Sequence, residues 1–595
     1  MICVRENNRR ICQFFKPCPG SVENGIRAMS VFVHERILEL LEAEGLKTLI
    51  GIPDPSFVGM FVTAEARGWR VVAPHHEQAG AFMADGMWRM TGIPGVVVGN
   101  QGPGVANLAP AAICAAKENT PTIFIAGQRQ RLFDQRVRRG RFQYTHQPAY
   151  FEAAMKYIGT IEYPEQTDEI VHEAFRRALG GTPGPVYIEY PMNVMQAQLD
   201  LPAPQKPEAY RLTHQGASAE AVTKAADLVG RAKSPILLVG QGVFISRAHE
   251  AVSELAHALR CPVIQTPGGA SFLPGYEEKT FPYASPVGVE IVAKSDLVLA
   301  IGTEIGEPIH YGVGRHWAKG NTDRKWIYIE RDPFAIGVNR RIDAALIGDL
   351  RDVAPQLVEA LKQTARAESP QLNRWKEAQA EFKAKLTETV STRTKPIHPA
   401  RMVVEATRVL PKDAVIVRDG GAVSIFTGAY SQLMPRDVLW CQNFGHLGTG
   451  LPHAIGAQMA VGDARRVILI TGDSSFLFHI SELETAVRKK LPIVCIVGCD
   501  FSWGLEVAVY KAAFGPQSPE TEAHWGRQVR LDKIAEGFGA YGAFVDDAND
   551  IAPAVERALA SGRTAVIQIA IDALANATEV PGFDEFASWY GDAGY

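Results

Sequence analysis

The sequence has few cysteines and no apolar run long enough to cross a membrane. It contains 8 cysteines in 595 residues, with no CxxC pair and no regular spacing. This pattern argues against a disulfide framework or a zinc site. No segment approaches the roughly 18–20 uninterrupted apolar residues that a membrane-spanning helix needs. These absences predict a protein of the reducing cytoplasm with no membrane partner.

The chain also lacks an excess of charge of either sign. Its 61 Lys and Arg and 65 Asp and Glu give a formal net charge of -4, whereas a dedicated nucleic-acid-binding protein normally carries a basic excess. Apolar residues make up 46% and charged residues 21%, which excludes a disordered, collagen-like or coiled-coil chain. The length corresponds to about three to five domains.

Residues 1–28 lack the apolar core of a secretory signal and hold three of the eight cysteines. A second methionine, Met29, opens a segment with clear periodicity. Residues 1–28 are therefore predicted to be a disordered extension, or to lie upstream of the start used in the cell, in preference to a targeting segment.

From Met29 onward, short β-branched runs alternate with helical patterns, which is typical of parallel sheets built from βαβ units. We predict an α/β chain with three doubly wound parallel-sheet domains. Their predicted boundaries are 29–195, 210–368 and 395–575, with a proline-rich linker at 201–207 and a charged helix at about 370–390. The last segment, 576–595, is rich in aromatic residues and is a candidate lid over a cleft.

Two aspartates follow neighbouring predicted strands of the third block. Asp473 stands in the sequence TGDSSF, and Asp500 follows 27 residues later. Because the carboxyl ends of parallel strands meet at one sheet edge, both carboxylates are expected where ligands of α/β proteins bind. Two oxygen ligands suit Mg²⁺, which completes its shell with phosphate oxygens. Gly472, Ser474 and Ser475 offer backbone N–H groups to a diphosphate; the alternative is that Asp473 only caps a helix.

This pair and its surroundings resemble the thiamine-diphosphate motif of the acetolactate synthase, pyruvate decarboxylase and benzaldehyde lyase superfamily. The family motif is GDG followed after about 26 residues by NN; here it is GDS at 472–474 and CD at 499–500. The serine is shared with the acyl-CoA branch, which includes oxalyl-CoA decarboxylase and 2-hydroxyacyl-CoA lyase. The resemblance covers about residues 30–570 and implies a pyrimidine-binding, a central and a diphosphate-binding domain, in that order.

The resemblance also implies the cofactors thiamine diphosphate and Mg²⁺, with Asp473, Asp500 and the Ser502 carbonyl as metal ligands. Glu77, in a segment similar to the family's HExxAxxxAxG, is expected to exchange a proton with the pyrimidine ring, a role worth roughly 10²–10⁴-fold in rate. Leu447 is expected to wedge the cofactor into its bent form. The implied cofactor-binding residues are Gly421, Ala422, Gly445, Leu447, Gly472, Ser474, Ser475 and Ser502.

Three further side chains are candidate catalytic residues. Glu506 lies six residues after Asp500, so its carboxylate is expected near the reaction centre as an acid or base; the alternative is a solvated charge at a helix start. Gln143 and His446 match positions in active-site segments of the family, although a lone histidine is more often structural.

The arginine-rich segment 128–142 holds six arginines in fifteen residues and suggests a substrate site. Arginine forks bind phosphate in bidentate geometry, and acyl-CoA carries three phosphate groups. The alternative is a solvated loop or an intersubunit salt bridge. The predicted substrate-binding residues are Gln101, Arg129, Arg131 and Arg136.

The central domain lacks the family's flavin-loop pattern, so no bound FAD is predicted. Because the family shares its active site between subunits, the resemblance implies a homodimer or a homotetramer.

The favoured function is a 2-hydroxyacyl-CoA lyase that yields formyl-CoA and an aldehyde or ketone, indicated by the GDS serine, the arginines and Glu506. The alternative is an acetolactate-synthase-like carboligase or decarboxylase of 2-oxo acids, indicated by Asp500 and by the neighbouring Trp503 and Gly504. A third possibility is a non-catalytic cofactor-binding subunit. Its argument is weakened by the presence of Glu77, Asp473 and Asp500.

Overall fold

The computed structural model describes most of the chain. The described residues are 29–131, 140–314, 316–317, 323–363, 367–392, 395–519, 521–525 and 529–583. They form three six-stranded parallel sheets with helices packed against them, which confirms the predicted α/β class with three parallel-sheet domains. The extension 1–28, Arg136, and residues 584–595 of the aromatic segment lie outside the described part. In that part, no helix is both long and apolar enough to span a bilayer.

The first sheet has the strand order β3-β2-β4-β5-β7-β6. The strands of this domain are β1 (Met29–Phe32), β2 (Thr48–Gly51), β3 (Arg70–Val72), β4 (Val96–Gly99), β5 (Ile123–Gln128), β6 (Tyr157–Thr160), β7 (Val186–Pro191) and β8 (Gln198–Leu201). Its helices are Val33–Ala43, Val58–Ala66, Glu77–Thr91, Pro103–Lys117, Thr167–Leu179 and Met192–Met195. Alternate residues of β4, β5 and β7 enter separate hydrophobic clusters on the two faces, which explains their unbroken apolar runs.

A two-stranded antiparallel ribbon ties the beginning of this domain to its end. Met29 of β1 pairs with Leu201 of β8, and Phe32 pairs with Gln198. The ribbon extends past the predicted domain end at residue 195, so the chain enters and leaves the first domain at the same place.

The second sheet has the order β11-β10-β9-β12-β13-β14. Its strands are β9 (Pro235–Val239), β10 (Val263–Gln265), β11 (Thr280–Pro282), β12 (Leu297–Ile301), β13 (Lys325–Glu330) and β14 (Ala344–Ile347). Its helices are Ala219–Arg231, Gly242–Ile245, His249–Leu259, Pro286–Lys294 and Leu350–Leu361. The charged helix expected at about 370–390 is present as Gln371–Val390 and leads to the third domain.

The third sheet has the order β16-β15-β17-β18-β20-β19. Its strands are β15 (Val415–Arg418), β16 (Val438–Leu439), β17 (Val467–Gly472), β18 (Val494–Cys499), β19 (Tyr541–Val545) and β20 (Ala565–Ala570). Its helices are Pro399–Thr407, Ala422–Tyr430, Gly450–Val461, Asp473–Leu477, Glu482–Arg488, Gly504–Phe514, Leu531–Gly537 and Ile551–Ala560. Because β15, β17 and β18 are adjacent and parallel, the loops that follow them meet at one edge.

The first and third domains pack against each other through two helices, Glu77–Thr91 and Gly450–Val461. Glycines allow their backbones to touch: a Cβ added at Gly86 would lie 2.5 Å from the carbonyl oxygen of His453. A Cβ added at Gly456 would lie 2.0 Å from the carbonyl oxygen of Met83. The two domains are therefore held in direct backbone contact.

A buried ion-pair network crosses this helix contact. Asp85 accepts a hydrogen bond from Arg89 Nε (2.9 Å) and lies 2.9 Å from His453 Nε2. The Arg89 guanidinium is fully buried and lies 3.6 Å from Glu118 Oε2. Burial alone would raise the pKa of Asp85, but the charges of Arg89 and His453 more than offset this and lower the pKa to about 2.

We expect Asp85→Ala to reduce the free energy of unfolding by about 3 kcal/mol, the lower end of what breaking a buried ion pair costs, because it removes the nearer charge partner of the buried Arg89 while Glu118 stays 3.6 Å away. The wild-type contribution is present above the pKa of an unfolded aspartate and is lost as the pH falls through the folded pKa of about 2. Urea unfolding at several pH values measures both effects. The exposed Asp227→Ala is the matched control, and an equal loss in both variants would contradict the assignment.

Candidate functional site

A cavity of about 210 Å³ opens at the carboxyl edge of the third sheet, where β15, β17 and β18 end. Its walls are formed by the loops that follow these strands and by the segment 440–447. The lining residues are Asp419, Gly420, Gly421, Ala422, Val423, Ile425, Trp440, Cys441, Gln442, Gly445, His446, Leu447, Gly472, Asp473, Ser474, Gly498, Asp500, Ser502, Trp503, Gly504, Leu505 and Glu506.

Two helix N-termini contribute backbone N–H groups to this cavity. The helix Ala422–Tyr430 begins after Gly421, and β17 runs into the helix Asp473–Leu477 at Gly472. The two turns approach closely, since a Cβ added at Gly420 would lie 2.9 Å from the Gly472 nitrogen. Gly420 also has a φ of +92°, so glycine is required there for both conformation and space. The paired N-termini form a site suited to an anion such as a diphosphate.

Asp473 and Asp500 lie together at the floor of the cavity. Asp473 accepts hydrogen bonds from the backbone nitrogens of Ser474 and Phe501, both at 2.9 Å. Asp500 accepts one from the backbone nitrogen of Ser502 at 3.1 Å. Burial, followed by the charge of Asp500, raises the pKa of Asp473, and burial also raises the pKa of Asp500. Two neighbouring buried carboxylates of like charge form a set that a divalent cation would stabilise.

The residues around these carboxylates fit a magnesium diphosphate. Among the described residues, no three His, Cys, Asp or Glu side chains gather as a metal cluster. The two carboxylates are compatible with Mg²⁺, which is usually bound through one or two carboxylates and phosphate oxygens. The buried hydroxyl of Ser475 has no hydrogen-bond partner in the described structure. It lies 3.3 Å from the position of a Cβ added at Gly420, so an unused donor stands beside the anion site.

The segment after β16 forms the opposite wall and carries Gly445, His446 and Leu447. His446 Nδ1 lies 2.7 Å from the carbonyl oxygen of Leu447, and its Nε2 lies 3.1 Å from the Gln78 side-chain nitrogen. Burial lowers the pKa of His446. The structure therefore places His446 between the cavity and the helix of the first domain that begins at Glu77.

Several lining residues carry no sequence signal. Trp440 and Gln442 follow an edge strand of two residues, and no motif marks them. Trp503 stands next to the predicted ligand Ser502 and contacts the Trp525 ring at a centroid distance of 5.6 Å. Trp440 and Trp503 give the cavity an aromatic wall, of which the sequence analysis marked only Trp503. Glu506 lines the cavity from the first turn of the helix Gly504–Phe514, with its side chain exposed.

Glu77 does not line this cavity within the single chain. It begins the helix Glu77–Thr91, is buried, and its Oε2 accepts a hydrogen bond from Asn107 at 2.9 Å. A Cβ added at Gly104 would lie 3.0 Å from Glu77 Oε1, so the loop that starts at Gln101 passes directly over the carboxylate. Asn107 is a further contact that the sequence analysis did not identify.

Gln101 and Gln143 belong to this second cluster, in the first domain. Gln101 is buried. Gln143 has a φ of +57°, and its carbonyl oxygen would lie 2.4 Å from a Cβ added at Gly102. The structure brings Glu77, Gln101 and Gln143 together around the loop 101–104, apart from the cavity of the third domain.

The predicted substrate arginines are occupied by protein groups. Arg129 donates through Nε and Nη2 to the carbonyl oxygen of Phe142, at 3.1 and 2.7 Å. Arg131 donates through Nη2 to Glu162 at 3.1 Å and lies 3.9 Å from Glu189. Neither guanidinium lines the cavity, and Arg136 is outside the described residues.

Comparison with known families identifies each of the three domains. Residues 32–150 match the thiamine pyrophosphate enzyme N-terminal TPP binding domain, 222–357 the central domain and 419–569 the C-terminal TPP binding domain. The chain belongs to the thiamine pyrophosphate enzyme family. The cavity lies in the C-terminal TPP binding domain, and the Glu77 cluster lies in the N-terminal one.

Relatives of this enzyme resemble it over nearly the whole chain. A probable acetolactate synthase large subunit of Methanocaldococcus jannaschii is 29% identical over 90% of this chain and 91% of its own. A sulfoacetaldehyde acetyltransferase of Alcaligenes xylosoxydans xylosoxydans is 28% identical over 90% and 92%. An acetolactate synthase of Bacillus subtilis is 28% identical over 90% and 93%. Of the three functions suggested by the sequence, these relatives favour the acetolactate-synthase-like alternative over the 2-hydroxyacyl-CoA lyase.

Proposed function

We propose that this thiamine-diphosphate-dependent enzyme is a Mg²⁺-dependent carboligase that transfers an acyl unit from a 2-oxo acid to an acceptor carbonyl. The likeness over nine-tenths of the chain to acetolactate synthases and a sulfoacetaldehyde acetyltransferase carries this proposal. Acetolactate and the group transferred by an acetyltransferase share an acetyl unit.

Different residues of the cavity would bind the metal ion and the diphosphate. Asp473, Asp500 and the Ser502 carbonyl would hold Mg²⁺, and the Gly421 N–H and the Ser475 hydroxyl would hold the diphosphate. Thiamine diphosphate, when bound, supplies the carbon nucleophile that activates the donor carbonyl.

The side chains above the cofactor would act on the substrate. Leu447 would support the cofactor rings, and Trp503 would exclude water from the donor side. Glu506 would act as an acid or base toward the acceptor oxygen at the cavity mouth. Glu77 would exchange a proton at the pyrimidine ring, with its carboxylate kept in place by Asn107.

The position of Glu77 outside the cavity supports self-association. The family resemblance implies that a second copy of the chain brings its first domain to the cavity, so we propose a homodimer or homotetramer. The exposed aromatic side chains near both clusters, Phe142 (73% exposed) and Phe478 (51%), are suited to such a contact.

Mass spectrometry of reaction products tests the proposed function. The enzyme with thiamine diphosphate and Mg²⁺ is incubated with pyruvate alone, with pyruvate plus sulfoacetaldehyde, and with a short 2-hydroxyacyl-CoA. We expect cofactor-dependent acetolactate from pyruvate and an unchanged thioester. Formation of formyl-CoA and an aldehyde, without any carboligation product, would contradict the proposal and support the function of a 2-hydroxyacyl-CoA lyase instead.

We expect Glu506→Gln to reduce kcat by about 10²-fold, because it removes a proton-transfer group beside the acceptor. Cofactor affinity should not change, since no predicted diphosphate or metal contact is removed. Steady-state kinetics and calorimetric titration with thiamine diphosphate measure the two quantities. The exposed Glu254→Gln is the control, and a change confined to KM would contradict the acid–base role.

A further inference from the structure

Two cysteines from different domains meet beside the cavity. Cys114 lies in the helix Pro103–Lys117 of the first domain, and Cys441 lies just after β16 of the third. Their sulfur atoms are 3.3 Å apart, although the residues are 327 positions apart in sequence. Both side chains are buried, at 1% and 3% exposure, and both belong to one hydrophobic cluster. A disulfide S–S bond is about 2.05 Å long, so an approach of about 1.2 Å would join them.

Of the two cysteines, Cys441 lines the active-site cavity, between Trp440 and Gln442, and Cys114 does not. A small oxidant that enters the cavity would therefore approach Cys441 before Cys114. Cys114 is then positioned to attack the oxidised sulfur. We propose that a peroxide converts this pair to a reversible disulfide that restrains the active site.

The surroundings of Cys441 connect the pair to the cofactor wall. Cys441 Sγ lies 3.4 Å from Glu118 Oε1, and the same oxygen accepts a hydrogen bond from the Phe444 nitrogen at 2.8 Å. Oxidation removes the thiol hydrogen that Cys441 shares with Glu118 and draws Cys441 toward the helix of the first domain. Because Gly445, His446 and Leu447 follow directly, the segment that lines the cavity shifts with it.

The reaction balances with hydrogen peroxide as the oxidant. The Cys441 sulfur attacks the O–O bond, takes one oxygen to become a sulfenic acid, and releases water. The Cys114 sulfur then attacks that sulfur, the S–S bond forms, and the S–O bond breaks to release a second water. Two thiols are oxidised by two electrons in total, and one peroxide is reduced. A dithiol such as dithiothreitol reverses the bond by exchange.

The pKa of the Cys441 thiol controls the rate of this oxidation. The hydrogen bond to Cys114, burial, and the charge of Glu118 raise the pKa of Cys441. Thiolate, the reactive form, is therefore scarce at neutral pH. Oxidation should be slow and should accelerate as the pH rises.

Peptide mapping of the peroxide-treated holoenzyme tests the disulfide directly. Trypsin releases the peptides 90–117 and 437–465, each of which contains one cysteine. After treatment with hydrogen peroxide and blocking of remaining thiols, we expect these peptides to appear joined, with two hydrogens lost, and to separate with dithiothreitol. Oxidation of other cysteines without this joined pair would overturn the proposal. This readout does not depend on the proposed substrate.

Turnover of the treated enzyme tests the functional consequence. A displacement of about 1 Å in a catalytic site can cost about 10²-fold, so we expect peroxide to lower kcat by about 10–100-fold and dithiothreitol to restore it. Cys114→Ala, and Cys114→Ser as a second variant, should keep the basal activity and lose the peroxide effect. The buried Cys261→Ser of the central domain should remain sensitive. A joined pair with unchanged turnover would overturn the proposed control of the site.

Discussion

Glu77→Gln is expected to lower turnover by about 10²–10⁴-fold while the protein stays folded. Glutamine has nearly the same shape and can still accept the hydrogen bond that Asn107 donates to the Glu77 carboxylate at 2.9 Å. It cannot exchange a proton with the pyrimidine ring, which is the role that the family resemblance implies. The rate of product formation and the circular dichroism spectrum measure the two parts of the prediction.

Two further variants make this result specific. Asn107→Ala removes the group that holds Glu77 and should lower turnover less than Glu77→Gln does. Glu65→Gln, an exposed glutamate of the same domain, should leave turnover unchanged. Full activity in Glu77→Gln would remove this residue from the mechanism.

Asp473→Asn is expected to abolish Mg²⁺-dependent cofactor binding. The affinity should fall by at least about 100-fold, the upper end of what loss of an outer-sphere partner of a metal site costs. The asparagine oxygen can accept only one of the two backbone N–H groups, those of Ser474 and Phe501, that the carboxylate accepts, but one of two neighbouring like charges is gone. Because these effects oppose each other, the cofactor-free variant should unfold near the temperature of the cofactor-free wild type. Calorimetric titration and thermal unfolding measure these quantities.

Comparing the unfolding temperatures with and without ligand distinguishes a loss of cofactor binding from a loss of folding stability. Thiamine diphosphate with Mg²⁺ should raise the unfolding temperature of the wild type, because a ligand that binds the native state stabilises it. It should not raise that of Asp473→Asn. The exposed Asp463→Asn of the same domain should behave as the wild type. Normal cofactor affinity in Asp473→Asn would refute the metal assignment.

Much of the sheet architecture could be predicted from the sequence because the central strands are buried on both faces. Strands such as β5 and β17 are fully buried and read as continuous apolar runs. Edge strands could not be predicted in the same way. Arg70–Val72 and Val438–Leu439 have three and two residues, too few to show a period, and their pairing is fixed by the neighbouring strand.

The site could be predicted where strand order decides it. Asp473 and Asp500 meet because β17 and β18 are adjacent, and the glycines beside them are required by close backbone approach. The aromatic wall at Trp440 could not be predicted, because it follows a two-residue edge strand and depends on how that segment crosses the domain contact. Arg131 was expected to bind phosphate, but its guanidinium pairs with Glu162. The sequence could not predict this pairing, because spacing along the chain does not reveal which acceptor is nearest in the fold.

The ribbon of β1 and β8 also has a consequence for synthesis on the ribosome. Met29 is made before its partner, Leu201, which is the last residue of the domain to appear. At roughly 5–20 residues per second, the interval between them is about 10–35 s. Until then Met29–Phe32 lacks its partner strand. Slow translation through the first domain therefore lengthens the period in which this segment can pair with another chain, and the ribbon closes only when that domain is complete.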